Sequence, residues 1–186
     1  MARYTVVLDA CVLVPTTLAD ALLRTAKRNP YRPLWSVRSL EEAMEAILGL
    51  HPGLSGDPVE RRFAALRETF EDARVEDGES VNVNLARPDR DDLHVVAAAL
   101  QGRAGAIVTA NLRDFLVKDL KSLDLEVIHP GDFLLDQLDL DPRTVIDVIR
   151  EQATHTRHPP LEPIGLLARL ARCGVHGFAD EVGRLI

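Results

Sequence analysis

The chain opens on Tyr4-Thr5-Val6-Val7-Leu8, an apolar, β-branched run stopped by Asp9. Such a run predicts a short parallel strand buried on both faces. Thr17 followed by Asp20 marks a capped helix start, with the helix running to about Arg28 before Asn29-Pro30 stops it. Leu34-Trp35 is a short extended piece. Ser36 then caps a helix that carries Leu40, Ala43, Ile47 and Leu48 and ends at His51-Pro52. Asp57 at the N-cap and Pro58 at the first helical position start another helix, which reaches about Phe70. The polar stretch 77–84 allows one short strand at Val81 to Val83. Asp92 to Leu100 is apolar nearly all round, which predicts a buried helix whose alanines let it approach a sheet closely. Ala106 to Thr109 and Glu126 to Ile128 are further strands, with a short helix near Val117 to Leu123 between them. Beyond Pro130 only helices are expected, over Asp132 to Leu138, Pro142 to Thr154, Pro163 to Arg172 and His176 to Leu185. Gly174 suits the position just past a helix end, and Arg157-His158-Pro159-Pro160 reads as a linker.

Alternating strands and helices predict an α/β fold with a parallel sheet, followed by a helical extension. A chain of 186 residues with 46% hydrophobic content buries a real core. The net charge of -7 argues against a generally basic nucleic-acid coat protein, but it leaves room for local basic patches. Arg24, Lys27, Arg28 and Arg32 form one such cluster, and Arg113, Lys118 and Lys121 another; a solvated helix face explains either equally well. Two distant cysteines, Cys11 and Cys173, make neither a disulfide framework nor a zinc set. No apolar run approaches the ~20 residues of a membrane span, so a cytoplasmic protein is expected.

The acidic residues change this picture from fold to chemistry. Asp9 ends the first strand, Glu41 and Glu42 lie in a helix, and Asp89, Asp91 and Asp92 open the alanine-rich helix. Asn111 and Asp114 follow the strand at Ala106. In open parallel sheets ligands bind beyond the carboxyl ends of strands, where the strand order reverses. Carboxylates converging there repel by roughly 4 kcal/mol per pair at about 4 Å and an effective dielectric near 20. A hard metal ion relieves that repulsion. Each acid also has an ordinary reading: Asp9 as a turn cap, Asp91 or Asp92 as an N-cap, Asp114 as a surface partner of Arg113 or Lys118. Glu41 and Glu42 point about 100° apart, so at most one faces a common site. Cys11 reads as a small packed residue, His94 as a hydrogen-bonded interior residue and Trp35 as core. Thr109 either holds a water or phosphate oxygen or is simply a strand former. Walker A, GxGxxG, GxSxG and HExxH motifs are all missing, which removes support for nucleotide-cofactor and serine-hydrolase chemistry.

Taken in order, VVLDACVLVP, PLWSVRSLEEA, PDRDDLHVVAAAL, IVTANLRDF and PGDFL resemble the PIN-domain ribonucleases, in particular the VapC-type toxins of bacterial toxin–antitoxin pairs. The resemblance covers roughly residues 1 to 135. It implies a PIN-like parallel sheet flanked by helices over 1–140, with a helical C-terminal extension over 141–186. It also implies Mg²⁺ or Mn²⁺ held by Asp9, Glu42, Asp92 and Asp114, with Asp89, Asn111, Thr109 and Glu41 as outer-shell candidates. The activity it implies is metal-dependent endoribonucleolytic hydrolysis of RNA. The partners are an RNA substrate and, for a toxin, a cognate antitoxin; homodimers are common in the family. Two departures stand out: Ala10 and Cys11 follow the first acid where many relatives carry a polar residue, and Asn111 stands where many carry Asp.

Two rival readings stay open at this level. A catalytically silent PIN module would bind RNA or a partner protein through its helical tail. A haloacid-dehalogenase-like phosphohydrolase also begins with an Asp after an apolar strand, but needs a second Asp where Cys11 stands.

Overall fold

The computed structural model describes residues 3–28, 30–76, 93–115, 120, 122–156 and 160–186. Strands β1 (Tyr4–Leu8), β2 (Tyr31–Ser36), β3 (Arg74–Val75), β4 (Ala106–Val108) and β5 (Glu126–Ile128) form one sheet in the order β3-β2-β1-β4-β5, with every pairing parallel. The expected strands at Tyr4, Ala106 and Glu126 are present. β2 is longer than the Leu34-Trp35 piece expected, and it contains Pro33. Gly105 N–H donates to Thr5 O on the β4 side of β1, so by alternation Val6 turns its backbone groups toward β2 and its register partner Pro33. The proline nitrogen then faces away from β1, on the side where β3 pairs only from Trp35 onward, and no ladder bond is lost. β3 itself went unforeseen because two residues carry no alternation to read. The possible strand at Val81 to Val83 lies outside the described residues.

The sheet is buried on both sides, as the apolar strands require. Val6, Leu8, Tyr31, Trp35, Ala106 and Val108 point to one face; Val7, Leu34 and Ile107 point to the other. Helix α5 (Leu93–Gln101) covers the second face with Val95, Val96, Ala98 and Ala99. The first face receives α2 (Thr16–Lys27), α3 (Val37–Leu50) and α4 (Gly56–Thr69). It also receives the C-terminal helices α6 (Pro130–Leu140), α7 (Pro142–His155), α8 (Pro163–Arg172) and α9 (His176–Leu185). The tail therefore shares one continuous core with the sheet: Phe133, Ile149, Leu167, Leu170 and Phe178 belong to the same cluster as Val6 and Trp35. Ile164 remains 74% exposed. Among the described residues no helix is long and apolar enough to cross a membrane.

Helix ends show where local rules held. Ser36 caps α3, accepting from Ser39 N–H at 2.9 Å as expected. α2, by contrast, begins at Thr16 with Pro15 as its uncapped N-cap, because the short helix α1 (Ala10–Leu13) comes directly before it. α4 starts two residues earlier than expected, with Ser55 at the N-cap and Asp57 inside the first turn. The short helix expected near Val117 to Leu123 and the linker Arg157 to Pro160 fall largely outside the described residues. Gly174 follows α8 at φ +91°, the left-handed position expected of it. Gly174→Ala should lower stability by about 1 kcal/mol, read as a drop in the urea midpoint with unchanged slope.

The basic cluster on α2 does not face the predicted site. α2 connects parallel β1 to parallel β2, so it runs back toward the amino edge of the sheet. Arg24 lies roughly 12 Å along the helix from Thr16. There Arg24 pairs with Asp20 at 2.9 Å and with Glu151 of α7 at 3.0 Å, and Arg28 pairs with Glu151 at 2.6 Å. The Arg28 hydrogen bond, the largest favourable cause, holds the Glu151 carboxyl below its usual range. These charges fasten the tail to α2. Arg32 donates to the backbone carbonyl of Asp72.

Candidate active site

β1 and β4 are neighbours, and the chain proceeds from β1 toward β2 on one side and from β4 toward β5 on the other. The strand order reverses between them, which makes their carboxyl ends the expected ligand-binding crevice. Asp9 follows β1 at that point. Its backbone N–H extends the ladder by donating to Val108 O at 3.1 Å, and Thr109 N–H donates to Ile128 O at 3.0 Å.

Asp9 is 6% exposed, and burying a carboxylate is costly unless donors replace the lost water. Three do so. Ala10 N–H donates to Oδ1 at 2.7 Å, Thr109 Oγ1 donates to Oδ2 at 2.7 Å, and Cys11 Sγ donates to Oδ2 at 3.2 Å. Around them, Ala110 N–H donates to Cys11 Sγ at 3.3 Å and Asn111 N–H donates to Thr109 Oγ1 at 3.0 Å. The ends of β1 and β4 are thus stitched through side chains as well as backbone. Burial, and after it the negative charge of Asp9, pushes the Cys11 thiol up to about 12. Cys11 is therefore a protonated donor to Asp9 at neutral pH. Cys11 packs against the core as expected, and its thiol also points back onto the carboxylate two residues earlier. The signal was the i, i+2 spacing at a strand end, where the chain turns sharply. Thr109 is a partner of Asp9, a role distinct from both expected ones.

An open cleft of about 380 Å³ lies beside this network, lined by Asp9, Ala10, Cys11, Val14, Glu42, Ala46 and Asn111. Ser36 starts α3 at the end of β2, which brings Glu42 to the cleft. Arg38 Nε donates to Glu42 Oε1 at 2.8 Å, and His94 Nε2 lies 3.4 Å from Glu42 Oε2. Glu41 is exposed, one helical step away. Of the pair after β4, Asn111 lines the cleft, whereas Asp114 is exposed on a turn closed by its N–H bonding Asn111 O at 3.1 Å. Asp89 and Asp92 lie outside the described residues. Among the described residues no three His, Cys, Asp or Glu side chains gather closely enough to hold a metal ion. Asp9, Glu42 and the Asn111 amide nevertheless offer hard oxygen donors around one open cleft, a donor chemistry that fits a magnesium-like ion.

A family profile described as a PIN domain matches residues 5–113, more than half of the chain. The chain belongs to the PIN-domain family. Residues 130–184 match a second profile, the VapC50 C-terminal domain, so the helical tail has counterparts too. The fold agrees, with a five-stranded parallel PIN sheet flanked by helices and continued by C-terminal helices. A protein of Mycobacterium tuberculosis carrying the description "Putative ribonuclease VapC50" is 43% identical over 94 residues, 50% of this chain and 55% of the relative. The match thus spans about half the length of that curated relative. No solved structure matches the chain at a significant level.

Proposed function

We propose that this PIN-domain protein is a metal-dependent endoribonuclease, the toxin of a VapBC-type toxin–antitoxin pair, acting in the cytoplasm. The observation that carries the reading is the rigidly held Asp9 carboxylate at the strand-order reversal, opening on a cleft with Glu42 and Asn111. The likeness to a protein described as a ribonuclease supports it. Asp9 and Glu42, with Asp92 and Asp114, are the proposed holders of Mg²⁺ or Mn²⁺, and Asp89, Asn111, Thr109 and Glu41 are the outer candidates. When bound, the ion would supply a water of lowered pKa and neutralise charge on the phosphate.

The protein's own contribution is orientation. Asp9 enters the reaction with its direction fixed by Thr109, Cys11 and Ala10, so little reorganisation is needed when substrate arrives. Glu42 is placed to accept a hydrogen bond from a water in the cleft and aim it at the phosphorus. Arg113, exposed on the turn after β4, is placed to hold a flanking phosphate. No covalent intermediate is required.

The direct test is cleavage of single-stranded RNA by purified protein with Mn²⁺. Absence of cleavage together with absence of Mn²⁺ binding by calorimetry would replace this reading by the silent RNA- or partner-binding module. Thr109→Val removes the hydroxyl donor to Asp9 while keeping the β-branched shape. It should lower turnover about 10–100-fold with the RNA dissociation constant unchanged.

A further inference from the structure

We infer that His94 is a positioning residue for Glu42: its Nε2–H is poised to donate to Glu42 Oε2 when the site closes and, with Arg38 on the other oxygen, to fix where that carboxylate points. His94 sits in the first turn of α5 with its side chain only 8% exposed. Among the described residues neither of its ring nitrogens has a hydrogen-bond partner. A buried imidazole left in that state is costly, so the site is built around an interaction the resting geometry has not fully closed. The charged group within reach is Glu42, whose Oε2 is 3.4 Å from Nε2, a few tenths of an ångström beyond a regular hydrogen bond. Such bonds are often long before substrate arrives and tighten when it is bound.

Glu42 has reason to need this hold. Its side chain is 35% exposed and has several rotors, unlike the buried and triply bonded Asp9. Arg38, one turn earlier on α3, takes Oε1 at 2.8 Å. A donor from α5 on Oε2 fixes the carboxylate from a second element. Each oxygen keeps a lone pair for a water or cation in the cleft. His94 does not line that cleft, so it acts through Glu42 and not on substrate.

The use of this contact rests on the ribonuclease reading, whereas the contact itself can be tested apart from it. In ¹H–¹⁵N spectra of the full chain at a pH where the ring is neutral, His94 should be the Nε2–H tautomer with its ring N–H proton shifted downfield by the carboxylate, and Glu42→Ala should move that resonance back upfield. His94→Phe keeps the size and removes the donor; it should lower kcat about 10–100-fold with KM unchanged. His94→Gln, which retains an N–H donor, should restore most of that loss. A wild-type Nδ1–H tautomer, or a His94→Gln variant as slow as His94→Phe, would overturn the assignment. A wild type that cleaves no RNA would end the ribonuclease reading and leave the tautomer to decide the role of His94.

Discussion

On the ribonuclease reading proposed above, Asp9→Asn should abolish most RNA cleavage while the fold survives. Exchanging groups behind a metal ligand typically costs 10–100-fold, so losing the ligand's own charge should cost at least about 100-fold in kcat. The fold tolerates the change because the surrounding hydroxyl can turn. The asparagine oxygen keeps the Ala10 N–H bond, and its NH₂ group donates to Thr109 Oγ1 in place of accepting from it. Thr109 Oγ1 already accepts from Asn111 N–H and has a second lone pair for this. The Cys11 thiol alone loses its acceptor, so the expected result is a folded protein with a slightly lowered melting temperature, a lost Mn²⁺ heat signal and near-background cleavage. Equal cleavage by both proteins would reject Asp9 as the central acid.

Phe133→Ala unfolds the whole chain more easily, not the tail alone. Phe133 is 1% exposed on α6 and meets Tyr31 of β2 edge-on, with ring centroids 4.8 Å apart. Tyr31 is fully buried, with its hydroxyl donating to Leu22 O at 2.6 Å, so its ring cannot swing to fill the space left behind. A buried Phe→Ala change costs about 3–5 kcal/mol, a large share of the ~5–15 kcal/mol by which domains are stable. Because the tail and the sheet share one core, Trp35 fluorescence and far-UV circular dichroism should follow a single urea transition, shifted together by the substitution. Two separated transitions would mean that the C-terminal helices fold as an independent unit.

These expectations rest on features that were unevenly legible from the residues alone. The strands at Tyr4, Ala106 and Glu126, and helices α8 and α9 to the residue, follow from apolar runs and capping signals that tertiary packing did not override. β2 was truncated in the reading because Pro33 looks like a break unless one knows that its nitrogen faces an open stretch of edge. Asp9 was readable as a candidate from its place at a strand end. Its bond to Thr109 was not, because it depends on β4 lying next to β1, and strand order is a long-range property. The α2 cations read as a local basic patch only while their edge of the sheet and their partner Glu151 were unknown. Glu42 and Glu41 separate as helical geometry demands, one into the cleft and one into solvent.

The sheet's margins carry a consequence of their own. β3 offers two residues and β5 three, one of which, Glu126, is exposed and charged. Among the described residues, a neighbouring molecule trying to zip onto the β5 flank would find few backbone rungs to register, with an acid in the way. Concentrated solutions of this protein should resist fibrillar self-templating.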